Sequence, residues 1–162
     1  MIAPGRPRPG RPKSLAPISG IPLQSRHTAV RAGLKGVAAL GKRILIVEDE
    51  PHIAESLSFI LDRAGYDVAA LDDGAQALDQ IRKSSPDLII LDVMLPNRSG
   101  FDILRDLRAG GPHAGLPVLM LTAKGQARDR SAAEDLGASR FMTKPFSNAE
   151  ILDTVSELMA GG

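Results

Sequence analysis

The stretch Ser85-Pro86-Asp87-Leu88-Ile89-Ile90-Leu91-Asp92-Val93-Met94-Leu95-Pro96-Asn97-Arg98-Ser99-Gly100 decides how the rest of the chain folds. Its apolar run, residues 88–91, lies between Pro86 and a turn-rich segment. An unbroken apolar run between turn formers reads as a strand buried on both faces. The run ends on a carboxylate, Asp92. In an open α/β sheet, chemistry collects just beyond the carboxyl ends of the strands. A single Asp there serves equally well to cap a loop, so its meaning depends on what the chain brings beside it.

Working outward, the same punctuation recurs. Arg43-Ile44-Leu45-Ile46-Val47 is a β-branched apolar run, followed by Glu48-Asp49-Glu50-Pro51. Pro51 suits the first turn of a helix, and the acids suit its positive end. Ile53, Leu57, Ile60, Leu61 and Ala64 recur at helical spacing before Gly65 stops the helix. Asp67-Val68-Ala69-Ala70-Leu71 is a weaker strand, and Asp72-Asp73-Gly74 turns into a short helix carrying Leu78 and Ile81. After Gly100 a helix points Phe101, Leu104 and Leu107 inward. Leu116-Pro117-Val118-Leu119-Met120-Leu121 is a fourth buried strand ending at Thr122. A helix over residues 126–136 has no clean apolar stripe. Ser139-Arg140-Phe141-Met142 is a short fifth strand. Lys144-Pro145-Phe146 then leads to a last helix with Ile151, Leu152, Val155, Leu158 and Met159. This β-α alternation, five times over, predicts an α/β three-layer sandwich on a parallel sheet with right-handed crossovers. The pattern alone does not give the strand order.

The totals agree. The chain has 162 residues, enough for one domain with a proper core. Four Phe, one Tyr and no Trp leave an aliphatic core. With no cysteine, disulfides, thiolate metal sites and a Cys nucleophile are excluded, and a reducing cytoplasm is the expected setting. No apolar run approaches the length of a membrane span.

The formal net charge of +1 hides two materials. Residues 1–43 hold nine Lys/Arg and no acid; the remainder holds eleven Lys/Arg against nineteen Asp/Glu. Residues 1–41 carry six of the twelve prolines and six glycines. Such a segment buries too little apolar surface to offset its ordering entropy, so it is expected as a disordered basic tail. By charge alone it could touch nucleic acid or an anionic membrane. It resembles an organelle transit peptide in its Arg content, without a clear amphipathic helix, and it lacks a secretory h-region. A translation start placed upstream of the domain would also produce it. The folded domain is expected over residues 42–160.

Parallel strands put their carboxyl ends on one edge. That edge would gather Glu48 and Asp49 from the first strand, Asp92 from the third, Thr122 from the fourth and Lys144 from just beyond the fifth. Each alone has a plain structural explanation as a helix-end charge, a cap or a surface lysine. Together, three carboxylates would repel one another unless a cation joined them. Mg²⁺ takes oxygen ligands and commonly pairs one or two carboxylates with a substrate phosphate. A lysine supplies a point charge for phosphate and a threonine a hydrogen bond. Carboxylates can be nucleophiles toward phosphorus.

These residues resemble the receiver domain of two-component response regulators over about residues 41–159. Glu48-Asp49, the spacing from Asp92 to Pro96 to Gly100, Thr122-Ala123, Phe141 and Lys144-Pro145-Phe146 carry the resemblance. It implies a flavodoxin-like fold with strand order 2-1-3-4-5. It implies Asp92 as the phospho-acceptor, taking the phosphoryl group from a sensor histidine kinase or a histidine phosphotransfer protein. It implies Asp49 and Asp92 as direct Mg²⁺ ligands with the backbone carbonyl of Met94, and Glu48 as an outer-shell acid acting through water. The family often has Asp at the Glu48 position, and Glu is a familiar variant. Residues 96–100 would hold the Met94 carbonyl toward the metal. Lys144 would face the phosphoryl group, with a cis peptide at Pro145. Thr122 would move onto the phosphate and Phe141 would turn inward as the switch. Met94 and Lys124 sit where the family tunes access of hydrolytic water. The weakly amphipathic helix over 126–136 is the natural moving part.

No output domain follows the last helix, so the expectation is a stand-alone receiver acting on an unknown effector protein. Family members of the OmpR/PhoB type often dimerise through acids before the fifth strand and bases on the last helix. Here Ser139-Arg140 and Glu150, Asp153 and Glu157 stand there instead, so a monomer is expected. An enzyme reading, an aspartyl phosphatase of the haloacid dehalogenase type, wants a second Asp where Met94 stands. A dinucleotide site wants Gly-x-Gly-x-x-Gly where Glu48-Asp49-Glu50-Pro51 stands. The chain could also be a receiver that works purely by docking, without phosphorylation, or bind nucleic acid through the basic arm.

Overall fold

A computed structural model describes residues 41–123 and 127–161. The basic tail expected over residues 1–41, apart from Gly41, and Lys124 and Gln126 lie outside the described residues. In chain order the elements are β1 (Arg43–Val47), α1 (Pro51–Arg63), β2 (Asp67–Leu71), α2 (Ala77–Ser84), β3 (Leu88–Asp92), α3 (Gly100–Arg108), β4 (Val118–Thr122), α4 (Ala127–Asp135), β5 (Arg140–Thr143) and α5 (Asn148–Ala160). A single 3-10 turn, Gly74–Gln76, precedes α2.

The five strands form one sheet in the order β2-β1-β3-β4-β5, with every pairing parallel. This is the flavodoxin-like order 2-1-3-4-5 that the resemblance implied. The register aligns Ile46 with Ile90, Ile90 with Leu119, and Thr122 with Thr143. Alternation of side chains along each strand divides the interior in two. Leu45, Val47, Ile89, Leu91, Val118 and Met120 pack with residues of α2 and α3 and with Ala133 of α4. Ile44, Ile46, Leu88, Ile90, Leu119 and Leu121 pack with α1 and α5. β3 and β4 are buried along their whole length, as a sheet covered on both faces requires. β2 lies at the edge, which is why its Asp67, Ala69 and Ala70 are exposed.

Helix ends follow the local sequence. Ser99 caps α3, its Oγ accepting from Asp102 N at 3.2 Å. Ser147 and Glu150 form a reciprocal capping box on α5. Gly65 and Gly137 take positive φ where α1 and α4 end. Two details depart from the periodicity. Ala64 is the exposed cap of α1 rather than a core residue. In α3, Ile103 is fully buried, while Phe101 only rests against the core. The α4 helix contributes one buried residue of its own among those described, Ala133. Among the described residues no helix is long and apolar enough to cross a membrane.

Arg108 ties the far side together. Its guanidinium donates to the carbonyls of Gly137, Ala114 and Leu116 at 3.0, 2.9 and 2.9 Å, joining the end of α3 to the loops before β4 and β5. On the neighbouring surface, Arg140 of β5 pairs with Glu157 of α5 at 3.1 Å.

Candidate functional site

The site forms where β1, β3, β4 and β5 end. Asp92 is the last residue of β3, only 3% exposed. Its Oδ1 accepts from Met94 N at 3.3 Å and its Oδ2 from Lys144 Nζ at 3.1 Å. The turn beyond it is tight. Gly100 N donates to Val93 O, and a Cβ at Gly100 would collide with the Asp92 carbonyl oxygen. Only glycine lets α3 start that close to the strand end. The neighbouring turn is equally close: a Cβ on Gly74 would meet the Arg98 carbonyl, and Asn97 donates to Asp73 at 3.1 Å.

Glu48 follows β1 and is 1% exposed, while Asp49 beside it is exposed. Carboxylate oxygens of Glu48, Asp49 and Asp92 lie within 4.8 Å of one another. Lys144 enters just after β5, after its own backbone N–H has bonded Thr122 O at 2.7 Å. The Lys144–Pro145 peptide is cis. The Lys144 ammonium lies 2.7 Å from Glu48 Oε2, 3.0 Å from Glu50 Oε1 and 3.1 Å from Asp92 Oδ2. The contacts to Glu50 and Asp92 are hydrogen bonds. The contact to Glu48 Oε2 is close but poorly aligned, and that buried oxygen has no hydrogen-bond partner among the described residues.

The electrostatics follow. Burial pushes the Glu48 carboxyl above its ordinary value, with the Asp92 charge adding to the rise and the Lys144 ammonium pulling against it. Burial works against the charged form of Lys144, but the three carboxylates outweigh it and its pKa is raised. One ammonium thus faces three acids, with Asp49 as a fourth carboxylate beside them. Three convergent carboxylates, one of them with a buried oxygen lacking a hydrogen bond, suit a hard divalent cation with oxygen and water ligands.

Thr122 ends β4 and is 2% exposed, one strand away from Asp92. Met94 follows Asp92 with its side chain largely exposed. Phe141 stands apart from the carboxylates, half-buried against the core shared by α2, α3 and α4. Glu50 is the residue that sequence reasoning left as a helix-end charge. It does occupy the N-cap of α1, but its side chain makes no cap bond and turns to Lys144 instead. Its place beside Glu48 and Asp49 was the available signal.

Residues 44–156 match the response regulator receiver domain family. TcrX of Mycobacterium tuberculosis, a transcriptional regulatory protein by name, is 44% identical over 109 residues, 67% of this chain and 46% of that protein. The chain spans about half the length of the curated relatives it matches. Among solved structures, a response regulator from Chloroflexus aurantiacus J-10-fl superposes with a TM-score of 0.71 at 37% identity, covering 74% of this chain and 98% of that one. The receiver domain of the sensor histidine kinase PA1611 from Pseudomonas aeruginosa PAO1, solved with a magnesium ion coordinated in its active site cleft, gives 0.69 at 30% identity, covering 74% and 98%. With the sheet order, the acidic strand ends and this likeness in agreement, the chain belongs to the response regulator receiver domain family.

Proposed function

We propose that this receiver accepts a phosphoryl group on Asp92 from a histidine kinase or a histidine phosphotransfer protein, and signals by a change of shape to a partner protein. The observation that carries this reading is the buried Asp92 carboxylate at the end of β3, 3.1 Å from Lys144 Nζ. Glu48 and Asp49 stand beside it. In the transfer, an Asp92 carboxylate oxygen attacks phosphorus. The new O–P bond forms as the P–N bond of the donor phosphohistidine breaks. Its electron pair returns to the ring, which leaves as neutral imidazole with the proton already on its second nitrogen. Lys144 hands the N–H that faced Asp92 to a phosphoryl oxygen, and the Thr122 hydroxyl takes another. Asp49 and Asp92 would hold Mg²⁺ directly with the Met94 carbonyl, and Glu48 through water. When bound, the ion supplies a divalent counter-charge for the transferring oxygens.

The protein is a signalling receiver rather than an enzyme with a separate substrate, and it works in the cytoplasm as a monomer. We assign residues 42–160 to the receiver and residues 1–41 to a basic tail whose charge supports at most weak contact with nucleic acid. Thr122 and Phe141 form the switch, and α4, anchored by little core, is the part that moves. The test is Mg²⁺-dependent labelling by acetyl phosphate, with Asp92→Asn as control. Labelling of the wild type alone is expected; equal labelling of both defeats the assignment. Hydrogen exchange in α4 should change with a beryllofluoride mimic, and unchanged protection there would defeat the proposed motion.

A further inference from the structure

Glu50 is out of place for a helix-end acid. It sits at the N-cap of α1, where a side-chain oxygen ordinarily accepts from the first free amides. No such bond is made. The carboxylate points instead across the mouth of the site to Lys144 Nζ at 3.0 Å. Glu50 and Lys144 are 94 residues apart in sequence, so the contact is made by the fold and not by local geometry. The two carboxylates that Lys144 faces on its inner side, Glu48 and Asp92, are almost wholly buried, whereas the Glu50 side chain is 58% exposed. Among the described residues, Glu50 is therefore the one partner of this ammonium that stands between it and solvent.

That position has two consequences, and both rest on the phospho-acceptor reading above. First, an ammonium has three N–H donors and no acceptor. With one donor held by Glu50 and one by Asp92, the orientation of the head is fixed, and the donor facing Asp92 is the one available to an incoming phosphoryl oxygen. Second, an approaching phosphodonor is an anion, and the first fixed charge it meets at Lys144 is negative. A like charge at that place opposes its approach, and screening by solvent and salt at an exposed carboxylate leaves a several-fold effect on rate.

We propose that Glu50 is a positioning residue for Lys144 that also acts as a like-charge gate, slowing phosphorylation by small dianionic donors. Glu50→Gln keeps the shape and an acceptor oxygen but removes the charge. Glu50→Ala removes both. Neither is expected to unfold the domain, because the side chain is exposed and makes no cap; superposable amide spectra check this.

The experiment compares acetyl phosphate, a dianion, with phosphoramidate, which carries less negative charge, at low and high salt. Glu50→Gln should label roughly three- to tenfold faster with acetyl phosphate at low salt, an expectation from screened Coulomb repulsion. The gain should be smaller with phosphoramidate, and the salt dependence should flatten. In the resting protein without Mg²⁺, Glu50→Ala should speed proton exchange of the Lys144 ammonium seen by nitrogen NMR. Equal rates, equal salt slopes and an unchanged ammonium signal would overturn the proposal. So would an equal gain for both donors, which charge does not produce. The two readings fail separately. If Asp92→Asn still labels, the phospho-acceptor assignment is wrong. If labelling is confined to Asp92 but indifferent to Glu50, only the gate is wrong.

Discussion

Replacing Lys144 by Met removes the only positive charge within reach of Glu48, Glu50 and Asp92 among the described residues, with little change of length. At separations of 2.7–3.1 Å each contact is worth about 5–6 kcal/mol of gross Coulomb energy at an effective dielectric near 20. Desolvation of the ammonium offsets much of this. The Glu50 contact is largely discounted because that side chain is exposed. What remains is the cost of leaving two buried carboxylates without their cation, about 3–5 kcal/mol when one partner of a buried pair is lost. Because Asp49 leaves the site open to water on one side, we expect about 3 kcal/mol.

The pH dependence of this loss has a definite sign. The Glu48 carboxyl lies above its ordinary 4.5 in the folded protein. The folded state therefore keeps the proton where the unfolded chain has lost it, and stability falls as pH rises from 4.5 through the folded value. Lys144 is what pulls that value down, so in the variant the window extends to higher pH. Lys144 itself, raised from 10.5, contributes evenly across neutral pH, and its contribution is lost only as pH rises through the folded value. Urea unfolding at pH 7.5 in EDTA should show a midpoint lower by about 2 M for a slope near 1.5 kcal/mol per molar. At pH 5.5 the gap should narrow. Mg²⁺ should stabilise the variant more than the wild type, because the ion takes over the missing charge. A variant as stable as wild type at pH 7.5 in EDTA, or a gap indifferent to both pH and Mg²⁺, would refute the electrostatic account.

Gly100→Ala should cost about 1–3 kcal/mol in denaturant unfolding, since its Cβ meets the Asp92 carbonyl; acetyl phosphate labelling should slow with it, and an unchanged melting temperature would contradict the close approach. Arg108→Met removes three hydrogen bonds from a charged donor to carbonyls and should cost about 2–4 kcal/mol, with Arg108→Lys recovering only part because an ammonium lacks the planar fork. Faster amide exchange at Ala138 and Leu116 would accompany it, and exchange at wild-type rates would speak against the tie.

The strands that were easiest to read are those buried on both faces. In β1, β3 and β4 burial demands unbroken aliphatic runs, and the run is itself the signal. β2 was faint for the converse reason: at the sheet edge it needs only Val68 and Leu71 inward. Strand order had no local signature and came from the family resemblance, because Ile44 cannot announce that it will pair with both Val68 and Leu88. The acids and Lys144 could be placed at one edge because parallel topology fixes where strands end. Glu50 was legible as a neighbour of that set but not as a ligand of Lys144, since helix-end acids are common and its side-chain direction is decided by a residue 94 positions away. Arg108 carried no signal, because its acceptors are carbonyls of loops whose shape appears only in the folded chain.

The bond from Arg108 to Gly137 has a mechanical meaning. It anchors the C-terminal end of α4, whereas the other end follows Thr122 in the chain after a short connection. On the proposed switch, a push arriving from Thr122 would therefore turn the helix about a pivot and would not slide it. Nine residues make a lever arm of about 13 Å. A tilt of roughly 20° would carry the tip at Ala127 some 4–5 Å while Asp135 stays nearly still. Distances from spin labels at Arg128 and Glu134 to the sheet would separate rotation from translation, since equal displacement of the two would rule out the pivot.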